Sequence, residues 1–161
     1  MSLNNSSPKS FSSLAESPLG KASEYVATYT PSLLHSIPRA EARAEVRGLD
    51  EKRPFYGEDV WNCYELSWLS PKGGPRGALL RIQVPQTSAA IVESKSMKLY
   101  LNSFAQTRFA STAEVQKTLD SDLLLAFRSP VMIELTEPEQ LNQAPNGLPG
   151  ECLDDIDVEV E

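Results

Sequence analysis

The sequence contains few of the side chains that most often bind metals or form disulfides: one histidine, His35, and two cysteines, Cys63 and Cys152. Two widely spaced cysteines give no disulfide framework. Zinc chemistry needs several histidine or cysteine ligands, so a single histidine opposes it. No supporting motif surrounds His35 for a Ser-His-Asp triad. We therefore expect no resident metal and no catalysis by this histidine.

Long apolar runs and dense positive charge are also missing. The longest apolar runs, such as residues 123–127, are far too short to span a bilayer. Residues 1–17 have no apolar block behind a basic start, which opposes a signal peptide and favours a cytoplasmic protein. The 15 lysines and arginines are not clustered, so we expect no nucleic-acid binding. The net charge of −7 is unevenly placed, because residues 129–161 contain nine acidic residues and no basic ones. Residues 1–128 are therefore mildly basic, which is compatible with a phosphate-bearing cofactor.

The sequence divides into three parts. Residues 1–17 are rich in serine and contain proline, which is typical of a disordered segment. Residues 18–56 form a weakly periodic arm, in which good helix formers predict a short helix over residues 40–46. Residues 57–161 are patterned throughout and form the expected globular module.

Within this module the pattern predicts an α+β fold. Alternation and turn residues predict strands at residues 60–69, 78–84 with an extension to 92, 131–135 and 156–161. A period of three to four residues predicts helices over residues 95–105 and from the capping box Ser111–Glu114 to Ser129-Pro130. The order β-β-α-α-β-β indicates a four-stranded antiparallel sheet with two helices on one face.

The aromatic residues of the first predicted strand indicate its buried face. Tyr64 and Trp68 share one face of a regular strand, and Trp61 lies on the other. We expect burial of this pair rather than an exposed base-binding surface. Cys63 lies within the strand, with no histidine or helix start nearby to lower its pKa, and Cys152 lies among carboxylates that raise its pKa. Both are expected to be structural thiols.

A candidate ligand site begins where the apolar residues 89–92 end at Glu93. A helix start follows, whose N–H groups and positive dipole end favour phosphate, and Lys95 and Lys98 add positive charge. The Glu93 carboxylate can accept two hydrogen bonds side by side, which suits the N–H edge of a guanine. From the residues alone a bland interpretation stays open: a solvated or lysine-paired glutamate before an ordinary helix cap.

The same residues carry a specific pattern, E-S-K-S-x-K-L-Y-L-N-S-F over residues 93–104 and then Q-T-R-F over residues 106–109. This pattern resembles the motif of the NADPH-dependent 7-cyano-7-deazaguanine reductases, the nitrile reductases of queuosine biosynthesis. Further segments resemble the N-terminal half of the long, two-module form of that enzyme, namely residues 19–21, 54–61, 64–69 and 152–155. The resemblance covers nearly the whole chain apart from its Ser-rich start.

The resemblance implies a tunnelling fold, in which modules pair edge to edge with ligand pockets between them, and hence a homo-oligomer. It implies that Ile91, Val92 and Glu93 line the 7-cyano-7-deazaguanine pocket, where the carboxylate fixes the base. It also implies that Ser94 and Lys95 face the cofactor NADPH.

The nucleophile and the proton donor of a nitrile reductase are missing from these residues. The reaction needs a thiolate that attacks the nitrile carbon, an acid, and two hydride transfers from NADPH. Short members of the family carry the cysteine before a Pro-Lys-x-Gly turn, where this chain has Ser70, and no aspartate follows in residues 74–78. The resemblance therefore implies that the catalytic cysteine and aspartate lie in a C-terminal module, beyond Glu161, and that the chain is one half of the enzyme.

Two other functions stay open. A non-catalytic purine- or nucleotide-binding or scaffold module of the same fold would also lack the cysteine and aspartate. A pterin-type lyase of this fold is opposed by the shortage of metal ligands.

Overall fold

The computed structural model describes residues 16–22, 26–44, 46 and 56–138. In chain order the strands and helices of these residues are β1 Ser36–Pro38, α1 Arg39–Arg43, β2 Glu58–Leu69, β3 Pro75–Pro85, β4 Ala90–Val92, α2 Ser94–Asn102, α3 Thr112–Phe127 and β5 Met132–Thr136. A 3-10 turn, Pro31–Leu33, precedes β1. Cys152 and the strand predicted at 156–161 lie outside the described residues, as does most of the predicted disordered segment. None of the described helices is long and apolar enough to cross a membrane.

The strands form two antiparallel sheets, which confirms the α+β class. In the larger sheet β3 lies between β2 and β5, and in the smaller one β1 pairs with β4. The predicted extension of the second strand to residue 92 was wrong. Its ladder ends at Pro85, where a turn closed by the Ser88 N–H and the Pro85 carbonyl redirects the chain. Residues 90–92 then pair with β1. Among the described residues the sheets have two and three strands, so the four-stranded order and the tunnelling fold stay predictions.

Helix α3 begins as predicted. The Ser111 hydroxyl accepts the Glu114 N–H at 3.2 Å, and the Glu114 carboxylate accepts the Ala110 N–H at 2.6 Å, a reciprocal cap like the predicted box. The helix ends at Arg128, whose left-handed φ of 51° terminates the hydrogen-bond ladder. Helix α2 is shorter than the predicted 95–105, because the chain leaves the helix through turns after residue 102.

One buried cluster holds the larger sheet and the two long helices together. Alternate residues of β3 supply one side of it: Ala78, Leu80, Ile82 and Val84. The helices supply the other: Met97, Tyr100, Val115, Leu119, Leu123, Ala126 and Phe127. Each fully buried large side chain contributes about 1.5–3 kcal/mol. The helices therefore cover one face of the sheet, as predicted.

The predicted side-chain faces of β2 were wrong for two residues: Trp61, placed opposite Trp68, packs against the same core cluster, and Tyr64, placed beside Trp68, points outward. Its pairing with β3 shifts register between Cys63 and Leu66. The extra residue reverses the side-chain alternation, so odd-numbered residues point inward before the bulge and even-numbered residues after it. Trp68 is buried as expected, at 3% exposure, whereas Tyr64 is 66% exposed and does not share its face.

The segment before β1 lies along the helices. The backbone N–H groups of Tyr29, Thr30 and His35 donate to the hydroxyls of Thr107, Ser103 and Ser96, at 2.8, 3.1 and 3.0 Å. The short helix predicted over residues 40–46 is found as α1, which begins one residue earlier and ends three residues earlier, at Arg43. These contacts fix the strand β1 beside β4, directly before the candidate site.

Candidate functional site

Glu93 caps helix α2 with its side chain. Its carboxylate accepts the Lys95 N–H at 2.7 Å through Oε1 and the Ser96 N–H at 2.8 Å through Oε2. The Ser96 hydroxyl donates back to the Glu93 carbonyl at 2.7 Å. Glu93 is only 5% exposed, so both its position and its plane are fixed. An ionised carboxylate has roughly four acceptor positions. Oε1 also accepts the Ser94 hydroxyl at 3.3 Å, so the remaining acceptor capacity lies on Oε2.

Strand β4 places Glu93 at the edge of the core. The Glu93 N–H donates to the His35 carbonyl at 2.9 Å, which continues the pairing of β4 with β1. Val92 belongs to the buried core cluster, while the adjacent Ile91 is half-buried. Successive residues of a strand point to opposite sides, so these two predicted pocket residues do not share a face.

A cleft of about 650 Å³ lies between β2 and α2. Residues 61–66 line it from the strand, and Ser94, Lys95 and Lys98 are among the residues that line it from the helix. Ser94 and Lys98 are exposed and lie one turn apart, on the same side of α2. The structure therefore brings both predicted cofactor residues to one cleft, directly after the capping glutamate.

The Lys95 ammonium group is already engaged. It donates to the Pro18 carbonyl at 3.1 Å and to the Lys21 carbonyl. Two of the three N–H donors of an ammonium are then in use, and one is left for a ligand. No local pattern in the sequence indicates this contact, although residues 19–21 belong to a segment that resembles the family.

The donor set at the cleft fits a phosphate-bearing cofactor. The third donor of Lys95 can bind a phosphate oxygen, and the Ser94 hydroxyl can do so when it turns away from Glu93 Oε1, to which it donates at 3.3 Å. Lys98 adds a positive charge, and in the part of the chain that the structure describes no carboxylate forms an ion pair with it. Ser94 and Lys95 are therefore candidates for binding the cofactor, and their role stays a prediction.

Cys63 also lines this cleft, from the strand side. It is a free, half-buried thiol, and burial raises its pKa. A raised pKa lowers the thiolate fraction at neutral pH, which is the opposite of what a nucleophile needs. Its environment is that of a structural thiol.

Ser70 lies in the turn between β2 and β3, away from Glu93. Its hydroxyl accepts the Gly74 N–H at 3.0 Å and its carbonyl accepts the Gly73 N–H at 2.8 Å. Gly73 has φ +85°, which a glycine adopts without strain. The residue at the position where short members of the family are expected to carry the cysteine is thus used in closing a tight turn. No cluster of three potential metal ligands occurs within residues 16–22, 26–44, 46 and 56–138.

A comparison with known protein families supports the resemblance that the motif of residues 93–109 indicates. Residues 25–135 match a family model described as "Nitrile reductase, 7-cyano-7-deazaguanine-reductase N-term". The match covers more than half of the chain and includes Glu93, all of α2 and α3, and the cleft residues of β2. The chain therefore belongs to the family of N-terminal regions of the 7-cyano-7-deazaguanine nitrile reductases.

Proposed function

We propose that this chain is the N-terminal module of a reductase that converts 7-cyano-7-deazaguanine to 7-aminomethyl-7-deazaguanine with NADPH, in the queuosine pathway of tRNA modification. Membership of the nitrile reductase family supports the reaction class. The observation that carries the site assignment is the buried Glu93 carboxylate, fixed by the N–H groups of Lys95 and Ser96 beside the cleft.

In this proposal Glu93 recognises the base. The two backbone hydrogen bonds hold the carboxylate in one orientation before any ligand arrives, which reduces the entropy lost on binding. The free position on Oε2, and the position on Oε1 that the Ser94 hydroxyl leaves when it turns to the cofactor, suit the ring N–H and the amino group of the deazaguanine as two parallel hydrogen bonds. Ile91 is available to line the pocket, whereas Val92 supports it from the core.

The same proposal assigns the cofactor to the start of α2. NADPH supplies the hydrides of the reaction. Ser94 would hold it through its exposed hydroxyl, and Lys95 through its charge and its third N–H donor. The helix dipole adds a favourable potential for phosphate at this end.

The chemical groups come from a second module in this proposal. A cysteine of the C-terminal module would form the covalent adduct with the nitrile carbon. An aspartate of the same module would deliver the protons. A largely free strand edge supports such pairing. Among the described residues β3 is the only strand that pairs with β2, and on the other edge of β2 the backbone of Leu69 bonds to Thr107 and Phe109, which leaves the rest of that edge open to a second module. An open strand edge also favours assembly into a homo-oligomer.

The test is NADPH oxidation in the presence of 7-cyano-7-deazaguanine. The chain is assayed alone, then with the C-terminal half of a long-form reductase, and then as that mixture with Glu93→Ala. We expect no turnover by the chain alone, turnover by the mixture, and loss of turnover with Glu93→Ala. Because Glu93 is also a helix cap, Ser111→Ala is the matched control: it removes the cap of α3 and should leave turnover intact.

A non-catalytic binding module is the second candidate. It is favoured by Ser70, which stands where short members of the family carry the cysteine and uses its hydroxyl within a turn, so this position offers no nucleophile. No turnover in any mixture, together with calorimetric binding of 7-cyano-7-deazaguanine that is lost in Glu93→Ala, would support this candidate over the reductase module.

A further inference from the structure

Lys95 connects two segments that are far apart in the sequence. Its ammonium donates to the Pro18 carbonyl, 77 residues away, at 3.1 Å, and to the Lys21 carbonyl, 74 residues away. Both acceptors belong to one short segment, so a single turn holds the ammonium group through two backbone carbonyls. Backbone carbonyls carry no net charge, and the positive charge at the start of α2 is therefore retained.

The segment that holds Lys95 has a defined geometry. The Lys21 N–H donates to the Pro18 carbonyl at 3.1 Å and closes a four-residue turn. Gly20 occupies the third position of this β-turn with φ +72°, and a positive φ at that position favours glycine or asparagine. Ser17 anchors the turn, because it is 1% exposed and its hydroxyl accepts the Leu19 N–H at 3.3 Å.

We propose that the turn Pro18–Lys21 is a positioning element of the cofactor site. By accepting two N–H groups of Lys95 it restrains a side chain that would otherwise sample many rotamers. The third N–H and the charge are then presented beside Ser94, where a phosphate group of the dinucleotide would bind. The inference rests on the proposed function, since it assigns the turn to the cofactor of that reaction.

A purely structural role makes a different prediction. If the contact only secured the N-terminal segment, loss of the turn would lower stability and would affect cofactor and nitrile alike. If the turn positions Lys95, its loss weakens NADPH binding selectively and has no further effect once the lysine itself is absent. The two roles separate in the Michaelis constants and in a double-mutant cycle.

The experiment uses the mixture of this chain with the complementing C-terminal half. Gly20→Val disfavours the turn through its backbone alone, since nothing lies within 4 Å of the added Cβ. We expect the KM for NADPH to rise about tenfold, with kcat and the KM for the nitrile unchanged. Gly20→Asn should stay within about twofold of the wild type, because asparagine tolerates a positive φ. In the Lys95→Ala background Gly20→Val should add no further change.

Gly73→Val is the matched control, because Gly73 has φ +85° in the turn between β2 and β3. An equal effect of Gly73→Val on the KM for NADPH, or full additivity of Gly20→Val with Lys95→Ala, would overturn the inference. If the wild-type mixture binds NADPH but does not turn over, the reaction is refuted, and the same variants decide the inference through their dissociation constants for NADPH. If the wild type neither turns over nor binds NADPH, the proposed function and this inference fall together.

Discussion

The hydroxyl of Tyr29 donates a hydrogen bond to Oδ2 of Asp122 over 2.7 Å and so ties the segment before β1 to helix α3. The Tyr100 hydroxyl, from α2, donates to the same oxygen over 2.6 Å. Burial is the larger cause that raises the pKa of both tyrosines above the ordinary value, and the hydrogen bond to the Asp122 carboxylate raises it further. A tyrosinate at either position would be poorly solvated and would face a negative charge.

We expect this arrangement to make stability fall as pH rises above about 10, the ordinary pKa of tyrosine. Above that pH the unfolded chain releases the tyrosine protons and the folded chain keeps them. The contribution of a raised pKa is therefore complete below about pH 10 and is lost as pH rises further. Tyr100→Phe removes one of these groups, so its free energy of unfolding should fall less steeply with pH.

Urea unfolding at several alkaline pH values measures this slope. Tyr64→Phe is the control, because Tyr64 is 66% exposed. It should leave the slope as it is in the wild type. Identical slopes for the wild type and Tyr100→Phe would refute the assignment of alkaline instability to this cluster.

Glu93→Asp should separate the capping role of Glu93 from its proposed recognition of the base. Aspartate is a good N-cap, so we expect the free energy of unfolding to stay within about 0.5 kcal/mol of the wild type. The shorter side chain withdraws the carboxylate, and kcat/KM for the nitrile should fall more than about tenfold. Glu93→Ala should lose about 1 kcal/mol through the cap as well. Unfolding curves and kinetics of the complemented enzyme measure the two effects, and full activity of Glu93→Asp would contradict the recognition role.

Local signals in the sequence predicted the helices and the place of the site. The capping box identified the start of α3, and the change from apolar residues to Glu93 and Ser94 marked the start of α2. Each of these two helix-start signals depends on residues within one helical turn of each other. Strand β4 was wrongly predicted as an extension of the second strand, because its pairing with β1 joins residues more than 50 positions apart and has no local pattern.

The failures at Tyr64 and Lys95 have similar causes. The bulge after Cys63 depends on how β2 pairs with β3, and alternation alone treats the strand as regular. The contact of Lys95 with Pro18 and Lys21 depends on the tertiary fold, so a lysine at a helix start suggests only a charge for a ligand. A single sequence contains the residues of such contacts without showing that they meet.

The bulge in β2 predicts very different costs for two aromatic substitutions. Trp68 is 3% exposed and belongs to the core cluster, so Trp68→Ala should lower the free energy of unfolding by about 3–5 kcal/mol. Tyr64→Ala, on the exposed side, should change it by about 0.5 kcal/mol or less. Denaturant unfolding of both variants measures this contrast. A large loss in Tyr64→Ala and a small one in Trp68→Ala would mean that β2 has no bulge at this position.

Cys63 should react slowly with alkylating reagents in the folded chain. Burial raises its pKa, so little thiolate is present at neutral pH, and the side chain is half-buried in β2. The measurement is the rate of iodoacetamide labelling in a Cys152→Ser background, folded and in urea. We expect faster labelling in urea, and labelling of the folded chain that accelerates as pH rises.

Because the proposed nucleophile lies in another module, Cys63→Ala should keep turnover of the complemented enzyme within about twofold of the wild type. Rapid labelling at neutral pH together with lost turnover in Cys63→Ala would instead make Cys63 the nucleophile and would remove the need for a second module to supply one.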